Sequence, residues 1–182
     1  ERRSSQTAMY IIIDGLTRLL APLLSFTTDE IWQFMPGKRE ESIHLAAFPS
    51  LTPMHRDEAL ATEWQGLFAL RADILKALEQ KRVEKLIGHP LDAAVTLSVP
   101  ADLQEFAQKH VETLQAVCIV SQMTLGAVLS EEAYQGSIVQ NLAIMVTKAP
   151  GEKCERCWCY SEELGSHSEH PALCPKCTQA VI

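Results

Sequence analysis

No apolar stretch in this chain approaches the roughly 18 residues that a membrane-crossing helix needs. The two richest, Met9–Ile13 and Leu19–Leu24, are broken up by Asp14, Arg18 and Pro22. No secretory signal is visible in these residues either, since Glu1-Arg2-Arg3-Ser4-Ser5-Gln6 runs straight into a helical pattern. A soluble, cytoplasmic protein with no membrane partner is expected. An excess of positive charge is also lacking, with 16 Lys and Arg against 23 Asp and Glu, a net charge of -7. That argues against a globally basic nucleic-acid binder and leaves room for a local basic face. There is no Gly-rich phosphate loop, no Gly-x-Ser-x-Gly and no converging carboxylate pair, so these residues show no active site of their own. Leu86-Ile87-Gly88-His89 has the outline of a nucleotide-binding His-x-Gly-His element but lacks its first histidine. Position 1 is not methionine, which points to a cut inside a longer polypeptide, with a tag remnant or processing as alternatives.

What is present suits a globular chain. At 182 residues, 47% hydrophobic and 21% charged, it can bury a sizeable core as one domain or as a domain with an appendage. Met9, Ile12, Ile13, Leu16, Leu19, Leu20 and Leu23 recur at three and four residues, the spacing of a helical stripe. Pro22 bends or ends that helix. Thr27-Thr28-Asp29-Glu30 predicts a capped second helix carrying Ile31, Phe34 and Met35, stopped by Pro36-Gly37. A loop is expected over 38–56, with a short extended piece at Ser42–Leu45 and prolines at 49 and 53. A long helix follows from about Arg56 to Lys85, with Leu60, Trp64, Leu67, Arg71, Ile74 and Leu78 inward. Its last third is basic, at Lys76, Lys81, Arg82 and Lys85. That run reads either as a solvated helix end complementing the dipole or as a phosphate-facing surface.

After the stop at Gly88-His89-Pro90 the pattern changes. Strands are expected at Ala93–Val99, Val117–Val120, Met123–Val128 and Asn141–Thr147, with a helix from Pro100 to about Val111. Strand–helix–strand implies a small α/β layer with at least one parallel pair. Ala149-Pro150-Gly151 is the hinge into the tail. The fold class is therefore α+β: part of a helical bundle (1–87), a small mixed α/β layer (88–149) and a cysteine-bearing module (150–182).

In that module Cys154-x2-Cys157 is followed, after a gap of sixteen residues, by Cys174-x2-Cys177. Each pair brings two sulfurs to one tight turn, and two pairs at this separation complete a tetrahedron suited to one structural zinc ion. Paired redox-active motifs and a rubredoxin-like iron site are the alternatives; redox motifs sit between a strand and a helix, which this tail does not offer. Cys159 is a spare thiol, and His167 and His170 are surface residues if the four cysteines suffice. Arg156 and Trp158 flank the second cysteine, and Lys153 adds charge nearby. Such an indole and guanidinium can stack on unpaired bases, or the Trp can pack the module onto its neighbour.

Taken together, these residues resemble the C-terminal region of bacterial-type isoleucyl-tRNA synthetases. Ser4–Ala8, Leu20–Thr27 and Asp29–Trp32 are similar to the late helices of that family's anticodon-binding bundle. Glu79–Arg82 with Gly88–Leu97 is similar to its junction, and Gly151–Trp158 with Cys174–Cys177 to its terminal zinc module. The resemblance implies an ATP-dependent ligase that charges tRNA with isoleucine, whose H-I-G-H and K-M-S-K-S signatures lie outside these residues. The piece itself would be catalytically inert alone and would grip the anticodon stem-loop beside the ligase's N-terminal domains. Arg156, Trp158 and Lys153 carry over as RNA contacts; Cys159 stands where relatives often have histidine. A formamidopyrimidine-type DNA glycosylase shares the cysteine spacing but not the Thr27–Trp32 block or the α/β insert. A zinc-ribbon interaction protein without RNA is the third alternative.

Overall fold

The computed structural model describes residues 2–50, 56–127, 130 and 132–182, and the chain divides into two compact units, Glu1–Asp57 and Glu58–Ile182. In the first, helix α1 (Arg2–Leu20) stops two residues before Pro22. The turn is closed by the Leu23 and Leu24 amides on the Leu20 carbonyl, at 2.9 and 2.8 Å. Helix α2 (Ser25–Phe34) begins after Leu24, which offers no side-chain cap, so the predicted box at Thr27–Glu30 is not formed. Thr28 already lies inside the helix and donates its hydroxyl to the Leu24 carbonyl at 2.9 Å. Asp29 instead accepts from the Ser42 hydroxyl at 2.7 Å and the Ile43 amide at 3.0 Å. These bonds accompany a 3-10 turn at Ile43–Leu45, where the sequence suggested an extended piece. The buried aromatic of α2 is Trp32, 2% exposed, while Phe34 is 83% exposed. Guanidinium groups of Arg39 and Arg18 lie 4.5 and 5.0 Å from the indole centroid, both paired to Asp14. The buried cluster of this unit is small: Ala21, Trp32 and Ile43. The α1 stripe stands largely in the open.

The second unit starts with helix α3 (Glu58–Val83). Strand β1 (Ala93–Ser98), helix α4 (Gln104–Cys118), and strands β2 (Gln122–Leu125), β3 (Tyr134–Gln135) and β4 (Ala143–Lys148) follow. The sheet order is β2-β1-β4-β3. Strands β1 and β2 are parallel, Val95 opposite Met123, and β4 runs antiparallel with Val146 opposite Val95. The parallel pair expected from strand–helix–strand is therefore formed, with α4 as the crossover. Ala93, Val95 and Leu97 alternate into a core shared with Leu67, Leu70, Ile74, Leu114 and Ile144. The predicted strand at Val117–Val120 is not there: α4 runs to Cys118 and Ile119 is its left-handed cap, φ 58°. Ala107, His110, Leu114 and Cys118 are spaced for one helical face, and this periodicity outweighs four apolar residues in a row. Arg71, read as inward-facing, donates to the Val117 carbonyl at 3.0 Å and so satisfies the last turn of α4. Pro53 of the predicted loop and Val128 of the predicted strand lie outside the described residues. Among the described residues no helix is long and apolar enough to cross a membrane.

One buried group went unforeseen. Asp73, on α3, is fully buried. It accepts from the Ser137, Ile138 and Val139 amides at 3.0, 2.9 and 2.9 Å and from the Ser137 hydroxyl at 2.9 Å. Burial pushes its carboxyl up, but these donors together outweigh burial and hold it below the usual carboxylate value. A side chain at Gly136 would put its Cβ 2.4 Å from the Val139 carbonyl, so only glycine lets this loop fold over the carboxylate.

Candidate metal centre and nucleic-acid interface

The tail is tied to the sheet by a few specific bonds. The Ala149 amide donates to the Asp92 carbonyl at 2.7 Å. The Ser121 hydroxyl donates to the Leu91 carbonyl and accepts the Tyr160 amide at 2.7 Å, so one buried side chain joins the two parts. Nothing in the sequence pattern marked Ser121. Gly151, at φ +89°, follows; a Cβ there would lie 2.3 Å from the Ser161 backbone. Strands β5 (Glu152–Lys153) and β6 (Tyr160–Ser161) then pair antiparallel and hold the first cysteine turn between them.

In that turn the Cys154 amide donates to the Cys159 carbonyl and the Trp158 amide to the Cys154 carbonyl, each at 2.9 Å. The second pair straddles the start of helix α5 (Pro175–Gln179), with Pro175 at its first position and Cys174 just before it. The structure brings the sulfurs of Cys154, Cys157, Cys174 and Cys177 all within 4.8 Å of one another. The Cys157–Cys174 separation is 3.7 Å. Four Zn–S bonds of about 2.3 Å define a tetrahedron with an edge of about 3.8 Å, so the donor set fits the ion that its spacing suggested. Cys159, His167 and His170 do not join the cluster; the two imidazoles stack on each other, 5.6 Å between centroids.

Electrostatics prepare the cluster for a cation. Burial raises the Cys154 thiol, but amides of Cys157, Cys174 and Arg156 bring it down to about 6. Burial and the neighbouring thiol groups push Cys157 well above its ordinary value, and burial raises Cys174. One thiolate thus forms readily, and further ionisation requires positive charge among the sulfurs. The Arg156 guanidinium supplies some of it, donating to the Cys177 sulfur at 3.6 Å. A cage of four thiolates leaves no open coordination position, so its role is structural. Cys118, buried at the end of α4, is pushed up to about 11 by burial and stays an inert thiol.

Trp158 sits on the outside of this cage. It is 60% exposed and is not among the apolar side chains packed around the sulfurs, which are Leu164 and Leu173. The Lys153 ammonium lies 5.8 Å from its ring centroid. Its backbone has φ 66°, the left-handed region that favours glycine. Arg156 is exposed apart from its sulfur contact. An accessible indole, a cation above it and a guanidinium two residues away are parts from which proteins build stacking sites for bases.

Comparison with known proteins agrees with this geometry. Residues 1–97 match the family described as the anticodon-binding domain of tRNA ligase. Residues 151–180 match the zinc finger found in FPG and IleRS, which with the sulfur cluster makes the tail a module with one structural zinc. The chain is 50% identical over 181 residues to an isoleucine–tRNA ligase of Geobacter sulfurreducens, covering 100% of this chain and 20% of that protein. It is 50% identical over 177 residues to that of Syntrophotalea carbinolica, with 97% and 19% covered. For Bacillus cytotoxicus the identity is 40% over 181 residues, with 100% and 20% covered. The chain thus spans about a fifth of the length of these relatives.

Proposed function

The chain belongs to the family of anticodon-binding domains of tRNA ligases, and from that premise we propose that it grips the anticodon stem-loop of an isoleucine tRNA. In this reading it is part of a cytoplasmic isoleucine–tRNA ligase whose ATP-dependent chemistry is carried by its other domains, which lie on the N-terminal side. Segment 1–87 serves as the end of the anticodon-binding bundle, its last helix α3 also packing in one core with the sheet of 88–149. Segment 88–149 serves as a junction, and 150–182 as the zinc module. Cys154, Cys157, Cys174 and Cys177 hold the ion, and the ion orders the turn that presents Trp158, Arg156 and Lys153 to the RNA. These residues bind and orient; none of them moves a proton or attacks a bond.

The observation that carries the reading is Trp158 itself. A bulky residue in a left-handed position costs about 1–2 kcal/mol relative to glycine, and this one is 60% exposed and outside the cluster around the sulfurs. Stacking on an unpaired base would use it, worth about 1–3 kcal/mol. A glycosylase-like role on duplex DNA would share the zinc finger but has no counterpart for the match over residues 1–97, which favours RNA. The test is binding of the zinc-loaded chain to the isoleucine anticodon stem-loop and to an unrelated hairpin. Trp158→Ala is expected to weaken the cognate complex by roughly 5- to 150-fold, the equivalent of one stacked base, with zinc content unchanged. Equal affinity for both hairpins would overturn the reading. Loss of metal on substitution would instead assign Trp158 to packing.

A further inference from the structure

Resting on the RNA-binding reading but on different side chains, we propose that Lys85, Lys148 and Tyr160 form a cleft that seats an RNA phosphodiester and extends the Trp158 contact along one face of the tail. The cleft has a volume of about 330 Å³ and lies where the end of α3, the end of β4 and the zinc module meet. Water occupies about 30 Å³ per molecule in the liquid, so a phosphate group with several waters has room.

Three observations support the assignment. First, the cations are uncommitted. Of the basic residues at the end of α3, Lys76 donates to the Ser137 hydroxyl at 2.6 Å, Lys81 pairs with Glu84 at 2.7 Å, and Arg82 pairs with Glu79 at 3.0 Å. Among the described residues Lys85, Lys148 and Lys153 pair with no carboxylate, and all three are exposed. Asp92 also lines the cleft, and its Oδ2 accepts the Gly88 and His89 amides at 3.0 and 2.7 Å, so its charge is engaged within the turn.

Second, the cleft connects to the indole. Tyr160 is the cross-strand partner of Lys153. Directly opposed residues in an antiparallel pair share a face. That face therefore carries Tyr160, which lines the cleft, and Lys153, whose ammonium lies over Trp158. Cations interleaved with aromatic rings are what a single-stranded loop needs, phosphates on the first and bases on the second.

Third, Lys85 occupies the left-handed position that closes α3, with φ 60°. The Leu86 amide returns to the Lys81 carbonyl at 3.0 Å, a helix ending in which glycine is the preferred residue. Lys85, which lines the cleft, and Trp158 both hold a side chain where the backbone would relax without one.

The experiment uses the full zinc-loaded chain and the isoleucine anticodon stem-loop, with affinity measured over a series of KCl concentrations. Each phosphate contact contributes about 0.7–0.9 to the slope of log K against log salt. The Lys85→Gln/Lys148→Gln variant is therefore expected to lower that slope by about 1.4–1.8, while Lys76→Gln/Lys81→Gln leaves it unchanged. Lys85→Gly should raise the midpoint of urea unfolding and still lower the slope, which a purely structural lysine would not do. If wild type binds the stem-loop and the double variant keeps its slope, the cleft is not an RNA contact, although the Trp158 reading stands. Saturable binding of inorganic phosphate alongside that unchanged slope would overturn it in the same way, as a free-anion site. If wild type binds no stem-loop, both readings fall.

Discussion

Residues 58–182 bury the faces that their helices and strands present to one another, whereas residues 2–50 enclose only a small cluster and leave the apolar stripe of α1 largely exposed. In the first region Leu67, Leu70, Ile74, Leu97 and Leu114 are all 2% exposed or less. In the second, Met9, Ile12, Leu16, Leu19 and Leu23 are between 47% and 79% exposed. Helices α1 and α3 both carry an apolar repeat at three and four residues, so periodicity does not separate them. What differs is whether the same unit supplies a partner. A stripe states that a helix has a face to bury and is silent about what buries it. In the proposed ligase, other helices of the anticodon-binding bundle would cover α1. The zinc module is a third solution: too short for an apolar core of its own, it is held by an ion.

The largest expected effect tests that last point. Structural zinc contributes about 10–16 kcal/mol of apparent folding free energy in zinc-finger peptides near neutral pH. Chelation, or Cys174→Ala, should therefore abolish hydrogen-exchange protection at Cys154, Trp158 and Cys177 while β1 and α4 keep theirs. Loss of protection in β1 as well would mean that the tail supports the sheet through Ser121 rather than merely resting on it. The pH dependence has a definite sign. The Cys157 and Cys174 thiols lie above their ordinary values, so zinc must displace protons from them. Apparent zinc affinity should fall as pH is lowered from 8 to 6.

A smaller loss is expected at Asp73. Asp73→Asn replaces one acceptor oxygen with an NH2 facing backbone amides that need an acceptor, at a cost of about 2–3 kcal/mol. Urea unfolding monitored within residues 58–182 checks this. The folded carboxyl lies below its ordinary value, so it binds a proton less readily than in the unfolded chain. Its stabilising contribution is complete above the unfolded value and is lost as pH falls through the folded one. The Asn variant should show a shallower acid limb; an unchanged limb would mean that other carboxylates govern acid unfolding.

These cases also show what was legible in the sequence. The cysteine pairs were, because metal geometry fixes their spacing locally, and so was the strand–helix–strand order. Asp73 and Ser121 were not: their partners lie 64 to 66 and 30 to 39 residues away, and a lone Asp or Ser carries no local signature of such bonds. The Thr27–Glu30 box misled because those types cap helices in general, while here Asp29 had a better partner in Ser42 and Ile43. The basic run at 76–85 read as one patch until the structure showed which charges were already paired and left Lys85 apart.

The smallest expected effect sharpens the contrast between the two regions most directly. Leu70→Ala, at a site 1% exposed, should cost about 2–5 kcal/mol through lost transfer energy and a residual cavity. Leu19→Gln, at a site 53% exposed and outside the buried cluster, keeps most of the side chain's length and substitutes one good helix former for another. It should change stability by no more than about 0.5 kcal/mol and make the chain less prone to self-association. Chemical denaturation at two protein concentrations distinguishes the outcomes. A cost near that of Leu70→Ala, larger at the higher concentration, would show the α1 stripe covered in solution by a second copy of the chain, and the contrast between the regions would then belong to the monomer alone.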